Sequence, residues 1–380
     1  MKSVATPGRW LTALVTAGAL AALAAPVAQA ARTPQASQTP QAPQTAAKPG
    51  SPGLVQLGSS SMPPSGPLLG PDGRRAYAVA QDADGHTRLR TVSTAHDRVI
   101  ATLDLGLTEW TRDRPALSAD GSRLYVVNGE TLSVIDTTKH KPSVVSSLVL
   151  PDEPRPTGWG PGVAGTVAVN GSLVYLAQDG PAPGTSAPTA GRVWVYDTAR
   201  QAVIGSVQLP GGQLLSIAVR PDGRSAYVST EVGIVHLDTS TAVPTVAGTV
   251  PGSAGMDGLA LSPDGTALYA VNDVADGTGL RVDPGTDTVT ARLTLTDGYS
   301  QLAAPVVSAD GTRLYVPDAY PAGHPAVLAF DTATGAALPS QDVTGFALTD
   351  FGGLALAPNS RTLYATGQDR GGSALQILAY

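Results

Sequence analysis

Apolar and polar residues alternate along most of the chain in short runs, and each run ends in Gly, Asp, Asn, Pro or Thr. That period and those stops predict strands joined by tight turns, not helices. The pattern also recurs on a larger scale. An apolar run, an Asp-Gly pair, about three residues and then a Tyr in a second apolar run occur as DGRRAY (Asp72–Tyr77), DGSRLY (Asp120–Tyr125), NGSLVY (Asn170–Tyr175), DGRSAY (Asp222–Tyr227), DGTALY (Asp264–Tyr269), DGTRLY (Asp310–Tyr315) and NSRTLY (Asn359–Tyr364). Successive tyrosines stand 48, 50, 52, 42, 46 and 49 residues apart. A strand-rich unit of that period is a propeller blade.

A second anchor follows in most units, where Asp136, Asp197, Asp238, Asp283 or Asp331 ends an alternating run and opens a turn. Each unit therefore reads as four strands. Strand A precedes Asp-Gly, strand B carries the Tyr, strand C ends at the second Asp, and strand D is the Val/Leu/Thr run beyond it. The expected fold is all-β, a seven-bladed β-propeller over residues 54–380 with four antiparallel strands per blade. The seventh unit has strands A (Gly353–Pro358), B (Leu363–Gly367) and C (Ala374–Tyr380) but no strand D, while Leu54–Leu57 belongs to no unit. Pairing that N-terminal strand with the last blade closes the ring and removes its open edge.

The units SADGSRLYVVN (Ser118–Asn128), LSPDGTALYAVN (Leu261–Asn272) and VIDTTK (Val134–Lys139) resemble the YVTN family of propellers, and the resemblance runs over essentially all of residues 54–380. It implies the fold. Members of that family include secreted and surface proteins, and related propellers include lactonases and haem-binding domains, so it does not fix an activity.

The N-terminal residues lead us to expect the ring outside the cell. Lys2 and Arg9, the apolar run Leu11–Ala25 and the Ala28-Gln29-Ala30 site read as a signal peptide over residues 1–30, cut before Ala31. The run is short of the roughly 20 residues a membrane span needs. Residues 31–53 hold five prolines and almost no large apolar side chain, so they are expected to be an extended or disordered linker serving as a spacer, a tether or a glycosylated stalk. No cysteine is present, which removes disulfides, thiolate metal sites and a cysteine nucleophile. The net charge of −6 argues against nucleic acid as a partner.

The seven tyrosines are expected to fill the spaces between blades, and the repeated aspartates to accept turn hydrogen bonds. Candidate chemistry lies in the irregular loops. D–A and B–C loops share one face of a propeller, and here they vary, whereas the A–B and C–D turns of the other face are short and repetitive. The D–A loops carry Glu109, Trp110, Arg112, Asp113 and Arg114, then Asp152, Glu153, Arg155 and Trp159, and later Asp257, Asp297, Tyr299, Asp350 and Phe351. Exposed aromatics beside arginines suit a sugar, a peptide or an anion. The expected ligand-binding residues are Trp110, Arg112, Arg114, Arg155, Trp159, Tyr299 and Asp350. Asp82 and Asp84, and Asp273 and Asp276, sit in acidic Gly-containing loops that faintly resemble calcium loops, though neither continues to the Glu of an EF-hand. The insert Asp179–Gly191 (DGPAPGTSAPTAG) is expected to be a mobile flap.

His96 and His140 fall in C–D turns, His236 in strand C of blade four, and only His86 and His324 in B–C loops, too few for a three-ligand metal or haem site. No catalytic residue and no cofactor is implied. The expectation is a secreted, monomeric binding or scaffold propeller, extracellular or loosely associated with the cell wall, engaging a protein, a peptide or a cell-wall glycan. The alternative is a lactonase-like hydrolase at the mouth of the channel, built from Arg112, Asp113, Arg114 and Asp350.

Overall fold

The computed structural model describes residues 53–109, 114–272, 277–297, 300–319, 325–358 and 361–379. The expected signal peptide and nearly all of the linker lie outside them. The described residues form 27 strands in seven sheets, and one short 3₁₀ turn. Each sheet is one blade, and in six of the seven the strands pair antiparallel in chain order. In blade four, for example, Leu214–Val219, Ser225–Thr230, Gly233–Asp238 and Thr245–Thr249 run from strand A to strand D. Strand A of a blade packs on strand A of the next, which places these strands around the axis. Blade seven combines Thr349–Leu356, Thr362–Asp369 and Gly372–Ala379 with Leu54–Gln56 as its outer strand. The register is Leu54 to Gln376, Val55 to Leu375 and Gln56 to Ala374, so the ring closes as the sequence predicts.

Blade six has a regular sheet of three strands, Val306–Val307, Arg313–Asp318 and Ala326–Asp331. Residues 337–343 fill its fourth position without forming a continuous strand. Val343 and Val327 exchange both backbone hydrogen bonds at 2.9 Å, and Leu338 N–H donates to Ala329 O at 2.8 Å. Between these contacts Pro339 opens the 3₁₀ turn Pro339–Gln341, and a proline offers no N–H to a ladder. The partly buried Asp342 carboxylate takes the N–H of Ala329 instead, at 2.8 Å.

The core is divided into seven parts, each lying between two blades and each holding one of the repeated tyrosines. Tyr77 sits with Leu124 and Ile135 of blade two, and Tyr364 of blade seven sits with Ala78 and Val92 of blade one. The other five occupy the interfaces between. All seven are buried, Tyr175 and Tyr227 completely. The phenols reach across to the C–D turn of the following blade: Tyr227 Oη donates to Pro284 O at 2.9 Å and Tyr269 Oη to Thr332 O at 3.3 Å. The ring supplies apolar area and the hydroxyl finds a partner at the edge.

The repeated aspartates act as turn formers. Asp72, Asp120, Asp222, Asp264 and Asp310 each accept the backbone N–H two residues on, at 2.9–3.0 Å. Beside them Gly121 and Gly265 hold φ of 69°, which a side chain would resist. Asp136 and Asp238 do the same in the C–D turns. The Thr that opens the C–D turn ties the two turn types together, since Thr94 after Ser93, Thr239 after Asp238 and Thr332 after Asp331 donate to the carbonyls of Gly73, Gly223 and Gly311 at 2.6–2.8 Å. One face of the ring is thus stitched by local hydrogen bonds.

Two outcomes follow from this packing. Tyr175→Ala empties a fully buried site and is expected to cost about 3–5 kcal/mol in chemical denaturation, whereas Val232→Ala, at a half-exposed loop residue, should change stability by less than about 0.5 kcal/mol. The second concerns acid. Hydrogen bonds from Ser118 and Ser122, from Ser262 and Thr266, and from Ser308 and Thr312 lower Asp120, Asp264 and Asp310 from 3.8 to about 2. A carboxylate lowered on folding adds stability that is complete above its unfolded pKa and lost as pH falls through the folded one. The melting temperature should therefore drop between about pH 4 and about pH 2, and the triple variant Asp120→Asn, Asp264→Asn, Asp310→Asn should flatten that dependence.

Candidate functional site

Arg114 is the residue on which the open face converges. Its place is set by backbone. Pro115 after it favours an extended conformation, and residues 114 and 166 form a parallel bridge between the inner parts of blades two and three. Arg114 N–H donates to Gly165 O at 3.1 Å, and Val167 N–H donates to Arg114 O at 2.9 Å. The side chain is exposed and lies on the wall of three separate hollows.

The first hollow, of about 550 Å³, lies among the loops of blades two to four and is walled by Arg114, Pro161, Gly162, Asp179, Pro188 and Gln213. One wall is the Asp179–Gly191 insert. It is fastened rather than left as a flap. Gly180 N–H donates to Gly212 O and Gly191 N–H to Gly211 O, both at 2.8 Å, and Ala182 pairs with Gly160. These crossings need glycine. A Cβ on Gly162 would sit 1.8 Å from the carbonyl oxygen of Asp179, and one on Gly180 would sit 1.8 Å from that of Thr189. Asp179 is buried and accepts the Leu214 N–H at 2.8 Å, and Glu231 accepts the amides of Gly212 and Gln213 at 2.6 and 2.9 Å.

Behind this cleft lies a buried polar layer. Glu153 accepts the Gly162 N–H, and its other oxygen stands 3.9 Å from Nε of Arg192. Burial pushes the Glu153 carboxyl up, against the pull of the Gly162 amide and Arg192. Arg192 lies over the Trp194 ring at 5.2 Å, Trp194 Nε1 donates to Gln178 Oε1 at 2.7 Å, and Gln178 donates to Gly162 O at 3.1 Å. The layer fixes the Gly162 backbone from both sides.

The other two hollows are at the axis. One, of about 140 Å³, is bordered by Arg114, Asp257, Gln301 and Phe351. The other, of about 190 Å³, is bordered by Arg114 and by Pro67, Pro115 and Pro305, each directly before a two-residue strand A. The turn face is not featureless either, since a hollow of about 410 Å³ between blades one and two is rimmed by Asp72, Arg74, Arg75 and Asp120.

Of the expected ligand-binding residues, only Arg114 lines these hollows among the described residues. Trp110, Arg112 and Tyr299 lie outside the described residues, as does Asp113. Arg155 is paired with Asp152 of its own loop. Trp159 is half-buried, directly before the residues that wall the cleft. Asp350 is exposed with φ of 47°, next to Phe351 at the axial mouth. Asp179, Gln213 and the proline trio were not singled out from sequence, although their Gly and Pro neighbours mark close backbone crossings.

The acidic loop of blade one is an ion-pair cluster. Asp82 accepts from Arg88 and Arg90, and Asp84 accepts from Arg88 at 2.5 and 2.9 Å. The Arg88 hydrogen bonds bring Asp84 down to about 2. His86 Nδ1 stands 2.9 Å from Asp104. Guanidinium groups thus occupy the oxygens a calcium ion would use. Asp273 and Asp276 lie outside the described residues, and so does His324. Among the described residues no three His, Asp or Glu are grouped to hold a metal, and no helix is long and apolar enough to cross a membrane.

No protein-family model and no curated protein matches this chain. Solved structures do. Hydrazine synthase of Kuenenia stuttgartiensis aligns with a TM-score of 0.63 at 16% identity, over 85% of this chain and 97% of that one. A chain from the crystal structure of a mitotic checkpoint complex aligns with a TM-score of 0.65 at 12% identity, over 93% of this chain and 98% of that one. At such identities the similarity is one of fold, and the fold is the seven-bladed β-propeller.

Proposed function

We propose that this chain is a secreted, YVTN-type binding or scaffold propeller that engages a peptide, protein or cell-wall glycan through its D–A/B–C face. The observation that carries the reading is the position of Arg114, whose exposed side chain borders the cleft and both axial hollows at once. A guanidinium there favours an acidic group on the ligand, held in a planar, two-pronged contact. The cleft around it is walled by Gly and Pro backbone, a surface suited to an extended chain lying across it. The stitched turns of the opposite face make a rigid platform, which lowers the ordering cost of binding. That one structural relative comes from a protein complex fits a protein-binding role. The signal-like residues 1–30 and the Pro-rich segment after them support export and a spacer.

The test is a binding screen of residues 31–380 against acidic peptides and cell-wall glycan fragments, repeated with Arg114→Gln. Loss of a charge-assisted contact should weaken the bound ligand by about 10- to 100-fold with an unchanged melting temperature. Equal binding by wild type and Arg114→Gln would remove this face as the site.

A further inference from the structure

At the interface of blades four and five, three side chains stand in a relay. Ser225 Oγ is 3.1 Å from His236 Nε2, and His236 Nδ1 is 2.7 Å from Asp287 Oδ2. The residues come from strand B and strand C of blade four and from the C–D turn of blade five. We propose that Ser225, His236 and Asp287 form a nucleophile, a general base and its positioning residue, able to accept the acyl group of a small ester.

Two observations lift this above a chance contact. The first is that Asp287 and His236 are held from a further side. The Tyr227 ring stacks on the imidazole at 4.8 Å and 19°, and its phenol shares its one proton between Pro284 O at 2.9 Å and Asp287 Oδ1 at 3.0 Å. Burial and the neighbouring Asp287 carboxylate push that phenol up, so it stays a donor. With Asp287 accepting at Nδ1, the imidazole keeps its proton there and turns a free lone pair at Nε2 toward the serine, the tautomer a general base requires. The second is that the other blades act as internal controls. The strand-C residue opposite the tyrosine is Thr91, Val134, Val195, Arg281, Ala329 or Ile377 in the other six. The position of Ser225 is arginine in blades one, two and six. Six interfaces therefore close without such a set, and the fold does not demand it at the seventh.

Access is narrow but present. Ser225 is 9% exposed, while the side chains of His236 and Asp287 are 16% and 29% exposed. So restricted an exposure confines the reaction to small acyl groups. Nearby charges are Arg220 and Asp238 of blade four and Asp283 of blade five. Arg220 roots beside the serine, its N–H donating to Ser225 O at 2.9 Å. Its guanidinium turns toward Asp222, with Nη2 3.6 Å from Asp222 Oδ2.

In the reaction Ser225 Oγ adds to the ester carbonyl as its proton passes to His236 Nε2. The C–O bond to the alcohol breaks, and the alcohol leaves with that proton. Water then adds to the acyl-serine, again giving a proton to Nε2. The acid is released and the proton returns to Ser225, so one ester and one water become one acid and one alcohol.

The test is labelling of the intact chain with an alkyl fluorophosphonate, read by mass spectrometry, together with 4-nitrophenol release from 4-nitrophenyl acetate. The expected result is one phosphonyl adduct on Ser225, absent in Ser225→Ala. His236→Gln should slow labelling by roughly 10²-fold or more. Asp287→Asn should slow it while also changing the pH profile of labelling, a readout that loss of packing alone would leave in place. No adduct on Ser225 of the wild type under excess reagent, or equal ester cleavage by Ser225→Ala, would overturn the proposal.

Discussion

Everything else in this molecule depends on one repeated contact, a strand-B tyrosine pressed into the neighbouring blade. A single four-stranded sheet of these short strands has two faces and no core of its own. Its apolar side chains are covered only when another sheet packs on it, so each blade is folded by its neighbours. The tyrosine serves both needs of that interface, because its ring fills the gap and its hydroxyl reaches a turn carbonyl of the next blade, as Tyr227 does at Pro284. A ring of such contacts has no terminal member, provided it closes. Closure falls to Leu54–Gln56, which supplies the outer strand of blade seven, and to Val55 and Leu57, which pack among residues of blade one.

This division of labour explains which parts of the structure were legible in the sequence. The blade count, the strand order and the closing strand follow from features that recur with every blade. Asp-Gly marks a turn wherever it occurs, and its meaning is local. The Asp-Thr pair is local too, since Thr239 reaches a glycine carbonyl within its own blade. Blade six departs from the rule at Pro339, a residue whose missing N–H breaks a ladder, yet the run around it still fills the outer position.

The functional side chains were much less legible, because they depend on what the ring brings together. Arg114 could be placed on the loop face from its position between blades, but its bridge to residue 166 crosses two blades and has no local signature. The Asp179–Gly191 insert reads as low-complexity sequence, and it is its bonds to Gly160, Gly211 and Gly212 that show it is held. Asp82 and Asp84 look like cation ligands in one dimension, whereas Arg88 and Arg90 of the adjoining strand take their oxygens in three. His236 was visible as a strand residue, yet its partners lie 11 and 51 residues away along the chain, on another strand of its blade and in a turn of the next. Chemistry on a propeller arises where the repeat is broken, and at blades four and five it is broken at three meeting positions.

The central claim is that the ring is one cooperative structure locked by its N-terminal strand. Hydrogen exchange on a chain lacking residues 53–57 tests it most directly. The account predicts that amides of Gly372–Ala379 lose protection together with those of Arg75–Gln81 in the adjoining blade, because the deleted residues pack against both. Unchanged protection of both segments would contradict it, and would mean that the seven interfaces hold the ring without closure.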